Sequence, residues 1–327
     1  MALSLPHNAH SPELGLETDD PWGRALALLT PDAIKAFRQY PNLRPAIGRL
    51  AVDASRFVNS LDSFGFWITQ HDRRYRLAFT MAVLDARDMG TTAGELLQAC
   101  QHLHGLNRGV VADFLDRAAA SGDLAIEPAG PAWGDRRLVV QAPFHQRLRD
   151  GINGMLGGLG GVIPEFADLA AALEPPEALR SFLLTFGMIS TFRPDLVATG
   201  DGPIDLFIRR DRGLGFLMYF LEHQVPDPDR AHLLERVALS RRRLAQDMVV
   251  SRMHVTRLLE EGETSGALSL PYPDEIVFSP ELSDRFEARV AVALQVLRAV
   301  CVAARLGAPV DHGRLARLDR VLGPPVS

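Results

Sequence analysis

Residues 240–268 read SRRRLAQDMVVSRMHVTRLLEEGETSGAL, and this stretch decides the fold. Its apolar spacing predicts one helix, a tight turn filled by Val249 and Val250, and a second helix that begins at Arg252. Ser251 stands where a side-chain hydroxyl would satisfy the exposed amides at the start of the second helix. The stretch therefore predicts two short helices joined by a tight turn.

The second predicted helix has two different faces. At 100° per residue, Val255, Leu258 and Leu259 share one side, which we expect to pack against the body of the protein. The opposite side carries Arg252, Met253, Thr256 and Arg257. We expect this second side to be exposed.

Positive charge is concentrated around the same stretch. Residues 236–258 contain six arginines, three of them consecutive at Arg241, Arg242 and Arg243, against Asp247 alone. The whole chain has 327 residues, a formal net charge of −5 and a pI near 6.1. Affinity for a polyanion would therefore have to come from this local concentration.

The residues after the second helix predict a small β-hairpin. A strand over 268–270 is followed by a Pro-Tyr-Pro-Asp turn at 271–274 and a return strand over 275–278.

An earlier segment repeats this plan 144 positions before, so that residues 106–126 align with 250–270. The identical pairs are Arg108/Arg252, Val111/Val255, Leu115/Leu259, Ser121/Ser265, Gly122/Gly266 and Leu124/Leu268. A preceding helix is predicted over 92–100. Downstream, a longer hairpin tipped by Arg136 and Arg137 leads into a strand at Leu138.

The first copy differs from the second in charge. Its outward face would carry Asn107, Arg108, Gly109, Ala112 and Asp113. Residues 92–123 contain two arginines against four carboxylates. Asp113 could accept a hydrogen bond from a cytosine amino group, but it would also repel phosphate. Direct nucleic-acid contact by this copy is left open.

Both copies resemble winged helix-turn-helix units of bacterial regulators. The first, with Asp135, Arg136 and Arg137 in its hairpin, resembles the MarR family over residues 75–155. The second, through Ser251-Arg-Met-His-Val-Thr-Arg-Leu-Leu259, is similar to the DNA-binding domain of Crp/Fnr-type regulators over residues 229–280. In that domain the matching serine and both arginines contact phosphates or base edges. Nothing in the sequence resembles the cyclic-nucleotide-binding barrel of those regulators, so their effector cannot be carried over to this chain.

These resemblances imply a sequence-specific transcriptional regulator that binds double-stranded DNA. The expected DNA-contacting residues are Arg241, Arg242, Arg243, Ser251, Arg252, Met253, Thr256 and Arg257 in the second unit, and Asn107, Arg108, Arg136 and Arg137 in the first. The alternatives are a winged-helix protein-interaction module and a plasmid-type replication initiator. A homodimer and a small-molecule effector remain open.

The expected architecture is mainly α, with two winged helix-turn-helix units joined and flanked by helices. Its predicted segments are a flexible tail (1–22), N-terminal helices with the first unit (23–155), a helical connector (156–228), the second unit (229–282) and C-terminal helices (283–327).

Other chemistries find little support in the residues. There is no Gly-x-Ser-x-Gly elbow, His-Glu-x-x-His helix or dinucleotide fingerprint, so neither an enzyme nor a cofactor is predicted. Cys100, His102 and His104 lack a fourth ligand, so no metal is predicted. The segment 209–212 reads as a solvated loop. With two cysteines, no leader and no long apolar run, we expect a cytoplasmic, nucleoid-associated protein without membrane contact.

Overall fold

The computed structural model describes residues 24–25, 27–87, 90–192, 202–208, 210, 212–224 and 231–305. The predicted tail over 1–22 lies outside these residues, as does the end of the predicted C-terminal segment beyond 305.

The described chain is mainly helical, as predicted, with two small antiparallel sheets. The helices are α1 (Pro31–Arg38), α2 (Leu43–Ser60), α3 (Ser63–Thr69), α4 (Asp72–Asp85), α5 (Ala93–His104), α6 (Arg108–Ala120), α7 (Ala142–Gly160), α8 (Glu165–Ala172), α9 (Pro176–Phe192), α10 (Pro203–Ile208), α11 (Gly213–Glu222), α12 (Arg241–Asp247), α13 (Arg252–Thr264) and α14 (Pro280–Arg305). The strands are β1 (Thr91–Thr92), β2 (Leu124–Glu127), β3 (Arg137–Val140), β4 (Arg236–Ala238), β5 (Leu268–Tyr272) and β6 (Glu275–Phe278).

Apolar spacing over residues 31–86 predicts three helices before the first unit, with breaks near Pro41 and Gly65, whereas the structure has four, α1 to α4. The break predicted near Gly65 occurs at 61–62, and Gly65 itself lies inside α3. The Asp62 carboxylate caps α3 by accepting the Gly65 amide at 2.7 Å. A Cβ at Gly65 would lie 2.9 Å from the Arg147 side chain. Glycine is therefore needed here because Arg147 approaches the α3 backbone closely, not because the chain turns.

Two segments share one topology. In residues 91–140, the first unit, the strand order is β1-β3-β2. In residues 236–278, the second unit, it is β4-β6-β5. Each unit runs strand, helix, helix and hairpin, and every strand pair is antiparallel.

The register predicted from the sequence repeat agrees with these elements. Helices α6 and α13 begin 144 positions apart, at Arg108 and Arg252, and each has 13 residues. The turns that follow them place Gly122 at φ +79° and Gly266 at φ +73°, a conformation that favours glycine.

The two hairpins differ from their predicted shapes. The second has a two-residue turn at 273–274, because β5 continues through Tyr272 with a register shift. In the first, a loop over 128–136 contains a 3₁₀ turn (Trp133–Asp135) that folds back onto the start of α5. There Gly94 and Gly134 pack closely enough that a Cβ on Gly94 would lie 3.1 Å from the Gly134 carbonyl oxygen.

A shared helical scaffold holds both units. The buried apolar side chains of the described residues form one cluster that extends from Ala25 to Ala304. Helix α14 follows the second unit, buries Phe286 and Val300, and packs against α9, α8 and α1. Helix α7 follows the first unit in the same way and packs against α2 and α8.

No helix in the described part of the chain is long and apolar enough to span a membrane.

Candidate nucleic-acid interface

Helix α13 has the two faces that its sequence predicts. The Ser251 Oγ accepts the His254 amide at 3.1 Å and so caps the helix. The buried face consists of Val255, Leu258, Leu259 and Gly262. On the other side, Arg252, Met253 and Arg257 are exposed, while Thr256 is half-buried. Both arginines therefore project from a helix whose opposite face is anchored in the core.

The arginines of the second unit have few carboxylate partners. Within the residues that the structure describes, no ion pair forms at Arg241, Arg242, Arg252 or Arg257. Arg243 lies 3.5 Å from Asp247, a loose pair on the surface. Arg236 pairs with Glu275 at 2.9 Å. Four guanidinium groups are thus available to an external anion.

The carboxylate of Asp247 is held by the scaffold. The Tyr219 hydroxyl of α11 donates a hydrogen bond to it. Burial, and then this carboxylate, raise the pKa of Tyr219 above its usual value. The phenol therefore remains a donor at neutral pH and fixes the end of α12 against α11.

A surface cavity of about 210 Å³ adjoins the exposed face of α13. It is lined by Arg210, Ser251, Met253, His254, Arg257 and Leu258. Arg210 pairs with Glu261, and the His254 ring stacks on Phe216 with centroids 6.0 Å apart. The segment 209–212, read from sequence as a solvated loop, thus contributes Arg210 to this site. No local pattern could have found it, since its partner is 51 residues away.

Arg212 of the same segment is also not a simple surface residue. Its guanidinium lies 4.5 Å from the Phe66 ring centroid, and its Nε and Nη2 atoms are buried without a hydrogen-bond partner. Burial lowers the pKa of Arg212. Arg209 lies outside the described residues.

Helix α6 of the first unit has the same design with different charges. The Asn107 side chain caps it by accepting the Val110 amide at 3.1 Å. Arg108 is exposed, and its guanidinium lies 4.8 Å from the Trp133 ring centroid. Asp113, which occupies the position of Arg257, pairs with Arg117 at 3.0 Å. Asp113 and Arg117 thus neutralise each other, while Arg108 keeps its charge.

The predicted place of Arg136 and Arg137 at the tip of the first hairpin is wrong. Arg137 begins the central strand β3 opposite Glu127, and the Arg136 carbonyl accepts the Ala93 amide at 2.9 Å. Both side chains are exposed, but at the base of the loop. The residues just before them, Trp133–Asp135, form a 3₁₀ turn and do not extend the hairpin.

Sequence reasoning missed one exposed apolar residue and misjudged another. Tyr272, in β5, is 68% exposed. Val249, which the sequence predicts to fill the turn, is 60% exposed, at φ +52°. The aligned Gly105, at φ +63°, was the available signal that this position needs a left-handed conformation.

Of the cysteine and histidines considered as metal ligands, Cys100 and His104 both lie against Thr80, whereas His102 is exposed. Cys100, His102 and His104 all lie on α5, where Cys100 is fully buried and the His104 Nε2 lies 3.0 Å from the Thr80 hydroxyl. Burial raises the pKa of Cys100 to about 12, so its thiol stays protonated. The described residues contain no group of three side chains suited to a metal.

No family model matches the chain, and comparisons with curated proteins and with solved structures find no match. The function proposed below therefore depends on the geometry of the two units.

Proposed function

We propose that both units are winged helix-turn-helix folds and that the second binds double-stranded DNA in a transcriptional regulator. One observation carries the proposal. The guanidinium groups of Arg252 and Arg257, which have no described carboxylate partner, project from the exposed face of a helix whose other face is buried, and two further such groups lie on the preceding helix, at Arg241 and Arg242. Such a surface suits a polyanion, because unpaired arginines can displace the counterions of DNA.

The dimensions of α13 suit the major groove of B-DNA, which admits one α-helix. Arg252 and Arg257 would donate to guanine O6 and N7 or to phosphate oxygens. The Ser251 oxygen accepts within the helix cap, so its hydroxyl proton is free to donate to a phosphate.

The rest of the second unit would hold the DNA backbone. Arg241, Arg242 and Arg243 lie at the start of α12, at the opposite end of that helix from the turn that leads into α13. Their contacts would position the protein without reading sequence. Thr256, being half-buried, would contribute only its exposed edge.

The first unit supports a second candidate function, protein contact. Its Asp113–Arg117 pair stands where the second unit has Arg257 and Glu261. The DNA contacts proposed for it are restricted to Asn107 and Arg108 at the helix start and to Arg136 and Arg137 beside the hairpin. On this proposal the two units, each with its trailing helix, imitate a dimer within one chain.

An effector and a homodimer are further proposals. A cleft of about 410 Å³ lies between the end of α4 and α5, with Leu84, Ala99 and His102 among its lining residues. It adjoins the first unit and is the place we propose for a small-molecule effector.

The test of DNA binding is the double substitution R252A/R257A. Duplexes selected from a random pool by the wild-type chain serve as the probe in gel-shift titrations. We expect specific binding to be lost while the circular dichroism spectrum stays unchanged, because both side chains are exposed. The matched control is R38A/R73A, which removes the same charge from two exposed sites outside the second unit.

Salt dependence separates DNA contact from protein contact. Affinity should fall steeply with salt, and each phosphate contact removed should reduce the slope of log K against log salt by about 1. Equal affinity for wild type and R252A/R257A, or binding indifferent to salt, would refute the proposal.

A further inference from the structure

The turn between α12 and α13 contains an unusual residue for its backbone conformation. Val249 has φ +52°, a region that β-branched side chains rarely occupy. The first unit has Gly105 at the aligned position, with φ +63°. Glycine adopts this conformation without steric penalty, so valine makes the second turn less stable than it could be.

The fold does not require the Val249 side chain. The turn is closed by main-chain bonds, from the Val249 amide to the Gln246 carbonyl at 3.1 Å and from the Val250 amide to the Ala245 carbonyl at 3.0 Å. A glycine would make the same bonds. With 60% of its surface exposed, the isopropyl group also contributes little to the core. A strained residue that does not serve packing suggests a functional constraint.

A second apolar side chain of the second unit is also exposed and also stands where the first unit has a glycine. Met253, in the first turn of α13, is 62% exposed, and its aligned residue in the first unit is Gly109. At both positions the first unit has no side chain, whereas the second presents an apolar group to solvent. Met253 lies on the exposed side of α13 with Arg252 and Arg257, and Val249 lies in the turn three residues before Arg252.

An apolar pair among unpaired arginines fits a ligand that is anionic and also presents small apolar groups. Duplex DNA meets both requirements, because thymine displays its C5-methyl group in the major groove. We propose that Val249 and Met253 contact thymine methyl groups, so that the preferred DNA has thymine where it faces the start of α13. This inference rests on the proposed function.

The experiment uses the full chain and one duplex selected from a random pool. Each thymine is replaced in turn by deoxyuridine, which removes only the methyl group, and affinity is measured by fluorescence anisotropy. For wild type we expect one or two replacements to weaken binding roughly fourfold, the effect of one buried methyl-sized group. Replacements elsewhere should leave affinity unchanged.

The variants V249G and M253A assign the effect to its residues. Each should bind the thymine duplex more weakly and lose the uracil sensitivity at one position. V249G should also melt at a higher temperature than wild type, which separates lost contact from lost folding. The control is L103A, which truncates an exposed apolar residue of the first unit and should keep the wild-type uracil profile.

The outcomes distinguish this inference from the proposed function. Salt-dependent binding that R252A/R257A abolishes, but that no uracil replacement alters, would overturn the methyl contact and leave DNA binding in place. A uracil effect that persists in both V249G and M253A would assign the methyl contact to other residues and also overturn the inference. Absence of any DNA binding would overturn both.

Discussion

At the scale of single residues, Asp123 shows how the first unit is tied to the scaffold. Its side chain is fully buried at the start of the hairpin, 2.5 Å from the Arg147 guanidinium of α7. Arg147 also reaches Asp62 at 2.6 Å, close to the surface. The aligned residue of the second unit is the buried, uncharged Ala267, so the second unit has no counterpart of the Asp123 ion pair.

Loss of Asp123 should therefore be costly. D123A leaves Arg147 partly buried with a single exposed partner, and we expect the free energy of unfolding in urea to fall by about 3 kcal/mol. D62A, which removes the exposed partner and a helix cap, should lower it by about 1 kcal/mol. Equal losses in the two variants would contradict a dominant role for the buried pair.

At the scale of elements, α7 is unusually rich in glycine. It contains Gly151, Gly154, Gly157, Gly158 and Gly160. A Cβ at Gly158 would lie 2.0 Å from the Asp53 carboxylate, and one at Gly160 would lie 2.7 Å from Ala167. At Gly154 and Gly157 a Cβ would meet nothing within 4 Å. Packing thus explains some of these glycines and leaves two unexplained.

This difference predicts opposite effects of alanine along one helix. G154A and G157A should each raise the free energy of unfolding by about 0.5–1 kcal/mol, because alanine restricts the unfolded chain and fits the helix. G158A should lower it, because the new methyl group clashes with Asp53. Thermal and urea unfolding measure the stability of all three variants. Destabilisation by G154A would show that the space beside Gly154 is filled in solution.

At the scale of the whole molecule, the single apolar cluster predicts cooperative unfolding. Cys100 lies in the first unit and Cys301 in α14, and both are fully buried. Burial raises the pKa of each thiol to about 12, so neither should react with a thiol reagent while the protein is folded.

The two cysteines therefore report on two regions at once. In C100S and C301S, the remaining thiol should become reactive over the same range of guanidinium chloride concentration, matching the wild-type transition followed by circular dichroism. Well-separated midpoints would show that the first unit and α14 unfold independently and that the shared core does not couple them.

The sequence alone determined the local features of this protein. Helical periodicity, cap residues and turn glycines act within a few residues, and so the start of α13, its cap at Ser251 and the repeat register could all be predicted. The exposure of Arg252 and Arg257 followed as well, since it depends only on the helical repeat and an apolar opposite face.

Only the tertiary structure decided which charges remain available and which positions are strained. Arg210 meets Glu261, and Asp123 meets Arg147, through contacts between elements that no sequence pattern encodes. The first hairpin folds back onto α5, and this long-range packing moved Arg136 away from the predicted tip. Spacing along the chain sets the faces of a helix, whereas the neighbours that cover or neutralise those faces are set by the packing of distant segments.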